Sequence, residues 1–151
     1  MPSPAEARRL LGALVSHTAR QWRRAVDRDL EPHNLTEATW LPLLHVARAP
    51  TPMRQKDLAE SLSLDGSSVV RLLDNLQNMG LIERREGTDR RSKAIHLTSV
   101  GQATVERVEG ISRQVRERVL AEISDDDVVT VFRTLEKICA ALPAASREQA
   151  A

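Results

Sequence analysis

The chain has 151 residues, of which 41% are hydrophobic and 28% are charged, as expected for one compact domain or one protomer of an assembly. Its 22 basic and 21 acidic residues leave a formal charge of +1, so only local clusters could indicate a nucleic-acid partner. A single cysteine excludes a disulfide framework and a cysteine-rich zinc site. With two Trp, one Phe and no Tyr, the core must be built from aliphatic residues, which favours helices.

The N-terminus and the apolar segments indicate a cytoplasmic protein without membrane contact. The first residues contain no basic stretch followed by an apolar one, so we expect no secretory signal. No apolar run approaches the roughly 18 residues needed to span a bilayer. The four histidines show no spacing typical of a metal-binding pair, so we expect neither a metal nor a cofactor.

Apolar residues recur three and four positions apart along several segments, which predicts helices. Long helices are predicted over residues 4–30 and 99–123, and a last helix follows the N-cap Ser124. A shorter helix is predicted to begin at Glu37, after Thr36. The apolar stripes on the first, fifth and last helices are longer than a small lobe can bury, which favours a partner.

The middle of the chain predicts a winged helix-turn-helix. Two short helices, Arg54–Leu62 and Gly66–Met79, are separated by a tight turn, with Asp65 as the N-cap of the second. Strands are then predicted over residues 81–85 and 93–97. The basic loop between them completes the wing, so the fold class is mostly α with a small β-wing.

Polar side chains cover the predicted outer face of the second short helix: Ser67, Ser68, Arg71, Asn75 and Asn78. Arginine forms bidentate hydrogen bonds with guanine, and serine can form hydrogen bonds with several bases. From Arg84 to Lys93 the wing carries five basic and two acidic residues, which suits a narrow minor groove. We expect Asp89 to pair with a neighbouring arginine and to hold the loop tip in shape.

Other functions remain open at this point. A polar helix face is often only solvated, and a basic loop often serves solubility. The alternatives to a sequence-specific DNA-binding protein are a winged helix that binds protein and a nonspecific architectural DNA binder. The chain contains no Gly-rich phosphate loop, nucleophile elbow or metal-ligand cluster, so we do not expect an enzyme.

Three segments of the chain resemble the MarR family of bacterial transcription regulators. They are Asp57–Leu76, Gly80–Arg84 and Asp89–Thr98, and they match the family's helix-turn-helix and wing. The most specific motif is the Asp-x-Arg of the wing, Asp89 to Arg91. The resemblance covers nearly the whole chain and implies a DNA-binding repressor or activator.

Within the family, the chain is most similar to the SlyA branch. The order Arg20-x-Trp22-Arg23, Leu30-x-Pro32 and Trp40 matches that branch, as does Val119–Ser124. The loop at Glu86-Gly87-Thr88 is one residue shorter than the SlyA loop. Gly66-Ser67-Ser68 also departs from it, which affects the base preference at that helix start.

The resemblance implies a homodimer in which the N- and C-terminal helices of two chains intertwine. Residues 1–32 and 101–142 would form the dimerisation region, residues 33–100 the DNA-binding lobe, and residues 143–151 a flexible tail. A twofold dimer places two recognition helices about 34 Å apart, so the operator should be an inverted repeat on double-stranded DNA.

The resemblance also implies roles for single residues. Ser67, Arg71, Arg90 and Arg91 would contact bases, the last two from the wing. Support for the wing or contacts to the DNA backbone would come from Ser68, Arg85 and Asp89.

A small aromatic acid such as salicylate is the implied effector, because SlyA-like members respond to such anions. Its pocket would be formed by five residues: Arg20, Trp22, Thr39, Trp40 and His45. A guanidinium pairs a carboxylate and indole faces stack on an aromatic ring. Both tryptophans also lie on apolar faces, so a role in the core is an alternative.

Cys139 lies on the apolar stripe of the last helix, beside Ile138 and Leu142. We expect it to be buried and structural, since relatives that sense peroxide carry their reactive cysteine in the first helix.

Overall fold

The computed structural model describes residues 1–87 and 92–142. In these ranges it contains six α-helices, one short 3-10 helix (Glu31–His33) and one two-stranded antiparallel sheet. In chain order, the elements are α1 (Pro4–Leu30), α2 (Glu37–Arg48), α3 (Gln55–Leu62), α4 (Gly66–Asn78), β1 (Ile82–Glu86), β2 (Lys93–Leu97), α5 (Ser99–Leu120) and α6 (Asp125–Ala141). The predicted mostly helical fold with a small wing is confirmed. The predicted flexible tail, residues 143–151, lies outside the described ranges.

The chain divides into two compact units, residues 1–115 and residues 116–151. The first unit contains α1 to β2 and most of α5. The second contains the end of α5 and all of α6. No helix within the described ranges has the length and the apolar content that crossing a membrane requires.

The core of the first unit is aliphatic, as the composition predicts. It is formed by buried side chains from α1, α2, α3, α4, both strands and α5, including Leu30, Leu43, Leu58, Leu73, Leu76, Ile82, Ile95 and Val108. Because every element of the helix-turn-helix and the wing contributes to this one core, α4 and the strands have fixed relative positions.

The end of α4 is set by a glycine. Gly80 has a φ of 74°, in the left-handed region. Its backbone N–H donates to the Gln77 carbonyl at 2.9 Å, and the Leu81 N–H donates to the Leu76 carbonyl at 3.0 Å. This is the Schellman motif that the Gly80-Leu81 sequence predicts. Leu81 is buried, so the helix ends where an apolar contact brings the chain back to the core.

The two terminal helices carry apolar side chains that the single chain leaves exposed. On α1, Leu10, Leu11, Leu14 and Val15 are 40–59% exposed. Considered by itself, α6 has no buried residue, and Val131 and Phe132 are 57% and 61% exposed. The expectation that these stripes exceed what one lobe can bury is confirmed for α1 and α6. For α5 it is wrong, because Val105, Val108 and Val115 of its stripe are buried in the core.

Candidate nucleic-acid interface

The α4 helix has one buried and one exposed face. Val69, Leu73 and Leu76 are buried. Ser67, Arg71, Asn75 and Asn78 are exposed, while Ser68 is half-buried. The exposed face is therefore lined by hydrogen-bonding groups and one guanidinium, which is the composition that reads base edges in a major groove.

Asp65 organises the start of α4. Its Oδ1 accepts from the Ser68 backbone N–H at 2.7 Å and from the Ser67 hydroxyl at 2.9 Å. These bonds, first the backbone one, lower the pKa of Asp65, so the cap is ionised at neutral pH. Because the Ser67 hydroxyl donates its hydrogen bond to Asp65, the Ser67 oxygen remains free to accept a hydrogen bond, for example from the amino group of adenine or cytosine.

The Arg71 side chain is exposed and makes no hydrogen bond or ion pair with any residue in the described part of the chain. It lies one turn beyond Ser67 on the same face of α4. A guanidinium that has no local partner keeps all five donors for a ligand, so Arg71 can bind a guanine edge without first breaking an internal bond.

The wing is a hairpin in which β1 pairs antiparallel with β2, Ile82 opposite Leu97 and Glu86 opposite Lys93. Arg85 is exposed and donates from Nε to Glu83 at 2.9 Å. An exposed pair of this kind is weak, so Arg85 can exchange it for a phosphate. Three predicted wing residues, Asp89, Arg90 and Arg91, lie outside the described ranges.

Arg84 joins the wing to the recognition helix, a role that the sequence did not reveal. Its Nε donates to Gln77 Oε1 at 2.8 Å and its NH2 group donates to Asp74 at 2.5 Å. Alternation along β1 could have found it, since Arg84 shares the inner face of the strand with the buried Ile82. With Asp74 and Gln77 one turn apart on α4, Arg84 fixes the root of the wing against the helix.

A second junction joins the end of α4 to the start of α5. The Thr98 hydroxyl donates to the Gly80 carbonyl at 2.5 Å and accepts from the Gly101 N–H at 3.0 Å. The Thr98 N–H donates to the Leu81 carbonyl at 3.1 Å. A Cβ placed on Gly101 would lie 1.9 Å from that same carbonyl oxygen. Only glycine therefore permits this approach of α5 to α4.

Comparison with known proteins identifies this architecture. A model described as the MarR family matches residues 33–92. The solved transcriptional regulator PA3341 is 37% identical; the match covers 86% of this chain and 96% of that chain, with a TM-score of 0.80. The chain belongs to the MarR family.

Two further solved structures of similar fold contain a bound partner or ligand. The MepR–DNA complex from S. aureus is 26% identical, covering 87% of this chain and 97% of that chain at a TM-score of 0.73. CouR from Rhodococcus jostii RHA1, bound to p-coumaroyl-CoA, is also 26% identical, covering 91% and 95% at a TM-score of 0.73.

In this MarR-family protein, two of the predicted effector residues lie in the core. Trp40 is 3% exposed, and its indole N–H donates to Asp27 Oδ1 at 3.1 Å. Thr39 is buried, with its hydroxyl 3.4 Å from that of Thr36. In the single chain, Trp40 thus joins α2 to α1, and a ligand could stack on its ring only after a rearrangement.

The other three predicted effector residues differ in position. Trp22 is half-buried against the core. Arg20 is exposed and donates to Ser16 on its own helix at 2.5 Å. His45 is hydrogen-bonded through Nδ1 to Ser61 of α3, and burial, with a smaller effect of Arg48, lowers its pKa. A neutral His45 supplies no positive charge, so Arg20 alone of the five can pair a carboxylate.

The expectation that Cys139 is buried is wrong for the single chain. The thiol is exposed, and no residue of α6 is buried. Among the described residues, no group of three His, Cys, Asp or Glu side chains is arranged to hold a metal ion.

Proposed function

We propose that this MarR-family protein is a cytoplasmic, homodimeric transcription regulator that binds an inverted-repeat operator, with Ser67 and Arg71 contacting bases. The observation that carries the proposal is the outer face of α4, where the exposed Arg71 guanidinium and the Ser67 oxygen stand on a helix fixed by its own cap and by Arg84. The MepR–DNA complex supports it as a relative of the same fold that binds DNA.

The exposed apolar stripes support the dimer. The four apolar residues of α1 and those of α6 are exposed in one chain, and an exposed apolar stripe on a helix favours an interaction with a partner. A twofold axis would cover both stripes with the same stripes of a second copy. The two α4 helices would then enter successive major grooves.

We place Arg90 and Arg91 in the minor groove, with Asp89 supporting the tip and with Ser68 and Arg85 on phosphates. The local excess of basic residues between Arg84 and Lys93 supports this placement. The antiparallel hairpin supports it too, because the two arginines follow β1 and precede β2 in the chain, next to the paired strand ends Glu86 and Lys93.

Replacing Arg71 tests the base-contact assignment. We expect Arg71→Ala to weaken operator binding by about 1–3 kcal/mol, roughly 5- to 150-fold, and to relax base preference at one position per half-site. The measurement is a fluorescence-anisotropy titration at fixed salt on the selected operator and on single-base variants.

Arg107→Ala is the matched control, since Arg107 is exposed on α5 and loses the same charge away from α4. Equal affinities and equal base preferences for the Arg71→Ala and wild-type proteins would overturn the assignment.

For the effector, we propose a small aromatic carboxylate that pairs with Arg20, near Trp22 and Trp40. We also propose that the chain is similar to the SlyA branch of the family, on the residues that match that branch. The bound p-coumaroyl-CoA of CouR supports an aromatic acyl ligand in a relative of this fold. Such a ligand must bind the DNA-free arrangement more tightly than the DNA-bound one.

The effector test is the operator titration repeated with salicylate. We expect salicylate to weaken binding of the wild-type protein and to leave the Arg20→Ala variant unchanged. The same loss in both proteins would contradict the role of Arg20, and no loss in either would contradict salicylate as an effector.

A further inference from the structure

An open cleft of about 590 Å³ lies under the wing, within the first unit. It is lined by residues from the start of α3, from the end of α4 and from the inner faces of β1 and β2. We call it the sub-wing cleft. None of the residues assigned above to base contacts or to the effector lines it.

The lining of the sub-wing cleft is strongly basic. It includes Arg54, Lys56, Arg84 and Lys93, with the Gln77 amide between them, and no acidic residue lines it in the part of the chain that the structure describes. The chain has only three lysines among its 22 basic residues, and two of them are here. A cleft lined by one sign of charge concentrates the opposite charge.

Local ion pairs do not cancel this charge. Arg54 pairs with Asp57 at 3.1 Å, and Arg84 pairs with Asp74. Lys56 acts on the same Asp57 and helps to lower its pKa, after the larger effect of the Arg54 bonds. Lys93 forms no ion pair with a residue of the described ranges. A third carboxylate, Glu86, lies opposite Lys93 in the hairpin. The lining itself has four basic residues and no acidic one, so positive charge remains in excess.

We propose that the sub-wing cleft is a phosphate-binding subsite, held chiefly by Lys56 and Lys93. Its basic lining suits an anion. Lysine suits a phosphate, which needs a positive charge and no fixed geometry.

The position of the cleft favours the DNA backbone as the source of the phosphate, and in this respect the inference rests on the proposed function. Gln77 lies six residues beyond Arg71, about 9 Å along α4. The major groove is about 12 Å wide. With Arg71 at the base edges, the cleft at Gln77 therefore lies within one groove width of it along the helix axis, and we infer that a phosphate bordering the groove is within its reach.

The salt dependence of operator binding tests this source. Each phosphate contact contributes about 0.9 to the slope of log affinity against log salt. We expect the Lys56→Ala/Lys93→Ala variant to have a slope smaller by about 2. Between 50 and 200 mM salt, the wild-type protein should then lose about tenfold more affinity than the variant. Base preference should not change, because phosphate contacts carry no sequence information.

Two matched variants serve as controls. Lys56→Arg/Lys93→Arg retains the charge and should retain the wild-type slope. Lys137→Ala removes the remaining lysine, on α6, and should also retain it. Circular dichroism and thermal melting establish that every variant is folded before its slope is compared.

A second arm uses inorganic phosphate and no DNA. Phosphate is titrated into the labelled protein at constant ionic strength, with chloride as the reference, while the amide resonances of residues 54–56 and 93 are followed. Saturable shifts that the double alanine variant lacks would support the subsite with free phosphate as its source. A reduced salt slope supports it with the DNA backbone as its source.

If the double alanine variant keeps the wild-type salt slope and phosphate shifts no amide resonance, the subsite is overturned. Operator binding by the wild-type protein would still leave the proposed function intact. If the wild-type protein binds no duplex, the proposed function fails, and the phosphate titration alone decides the subsite.

Discussion

Gly101→Ala should destabilise the protein by about 3 kcal/mol or more, because a Cβ at this position would lie 1.9 Å from the Leu81 carbonyl oxygen. That oxygen is backbone and already accepts the Thr98 N–H, so it cannot move without breaking the junction between α4 and α5. For a chain of this size the expected fall in Tm is about 6–12 °C, measured by calorimetry at one fixed protein concentration.

Gly110→Ala is the matched control for this prediction. Gly110 lies in the same helix, and apart from its chain neighbours and the backbone of its own helix, no atom of the described residues lies within 4 Å of a Cβ placed there. Alanine is the better helix former, so this variant should keep or raise the Tm. If both variants melt alike, then Gly101 is not the point of close approach, and α4 is not held by the start of α5 as described.

Leu14→Glu should convert the protein to a monomer. Leu14 is 59% exposed in the single chain and lies in the apolar stripe of α1. If a second copy covers the stripe, each chain of the dimer buries one carboxylate in the interface, so two carboxylates are buried without partners. Self-association should then weaken about 100-fold or more. Sedimentation equilibrium measures this change, and operator affinity should fall with it, since a monomer engages only one half-site.

The control for the dimer is Ser16→Glu. Ser16 lies about 200° around α1 from Leu14 at 3.6 residues per turn, and a glutamate there can pair with Arg20 in the next turn. It adds the same charge to the same helix and should leave the dimer intact. A Leu14→Glu protein that sediments like the wild type would show that the α1 stripe is not the dimer contact.

Local signals in the sequence predicted most of the fold. The periodicity of α1 and α4, the cap at Asp65 and the Gly80-Leu81 stop depend on residues close together in the chain. For that reason they predicted the bounds of these helices closely, Pro4–Leu30 and Gly66–Asn78. The outer face of α4 follows from the same periodicity, so roles for Ser67 and Arg71 could be proposed from the sequence alone.

Contacts between distant segments could not be predicted in this way. The Arg84 bonds to α4 and the bond of Trp40 to Asp27 join elements whose packing no short pattern encodes. The sub-wing cleft draws on α3, α4 and both strands, and its two lysines are 37 positions apart in the sequence. Burial of Cys139 was predicted from its apolar neighbours on α6. Its actual exposure depends on whether another part of the protein covers that stripe, which the local sequence does not encode.

The central claim, a dimeric protein that binds a specific DNA sequence, is tested most directly by binding selection from random duplex DNA. Purified wild-type protein is used at one fixed salt concentration, and the enriched sequences are aligned. We expect an inverted repeat whose half-sites are centred about 10–10.5 base pairs apart, one helical turn. Recovery of no enriched sequence, or of a single unrepeated site, would contradict the account.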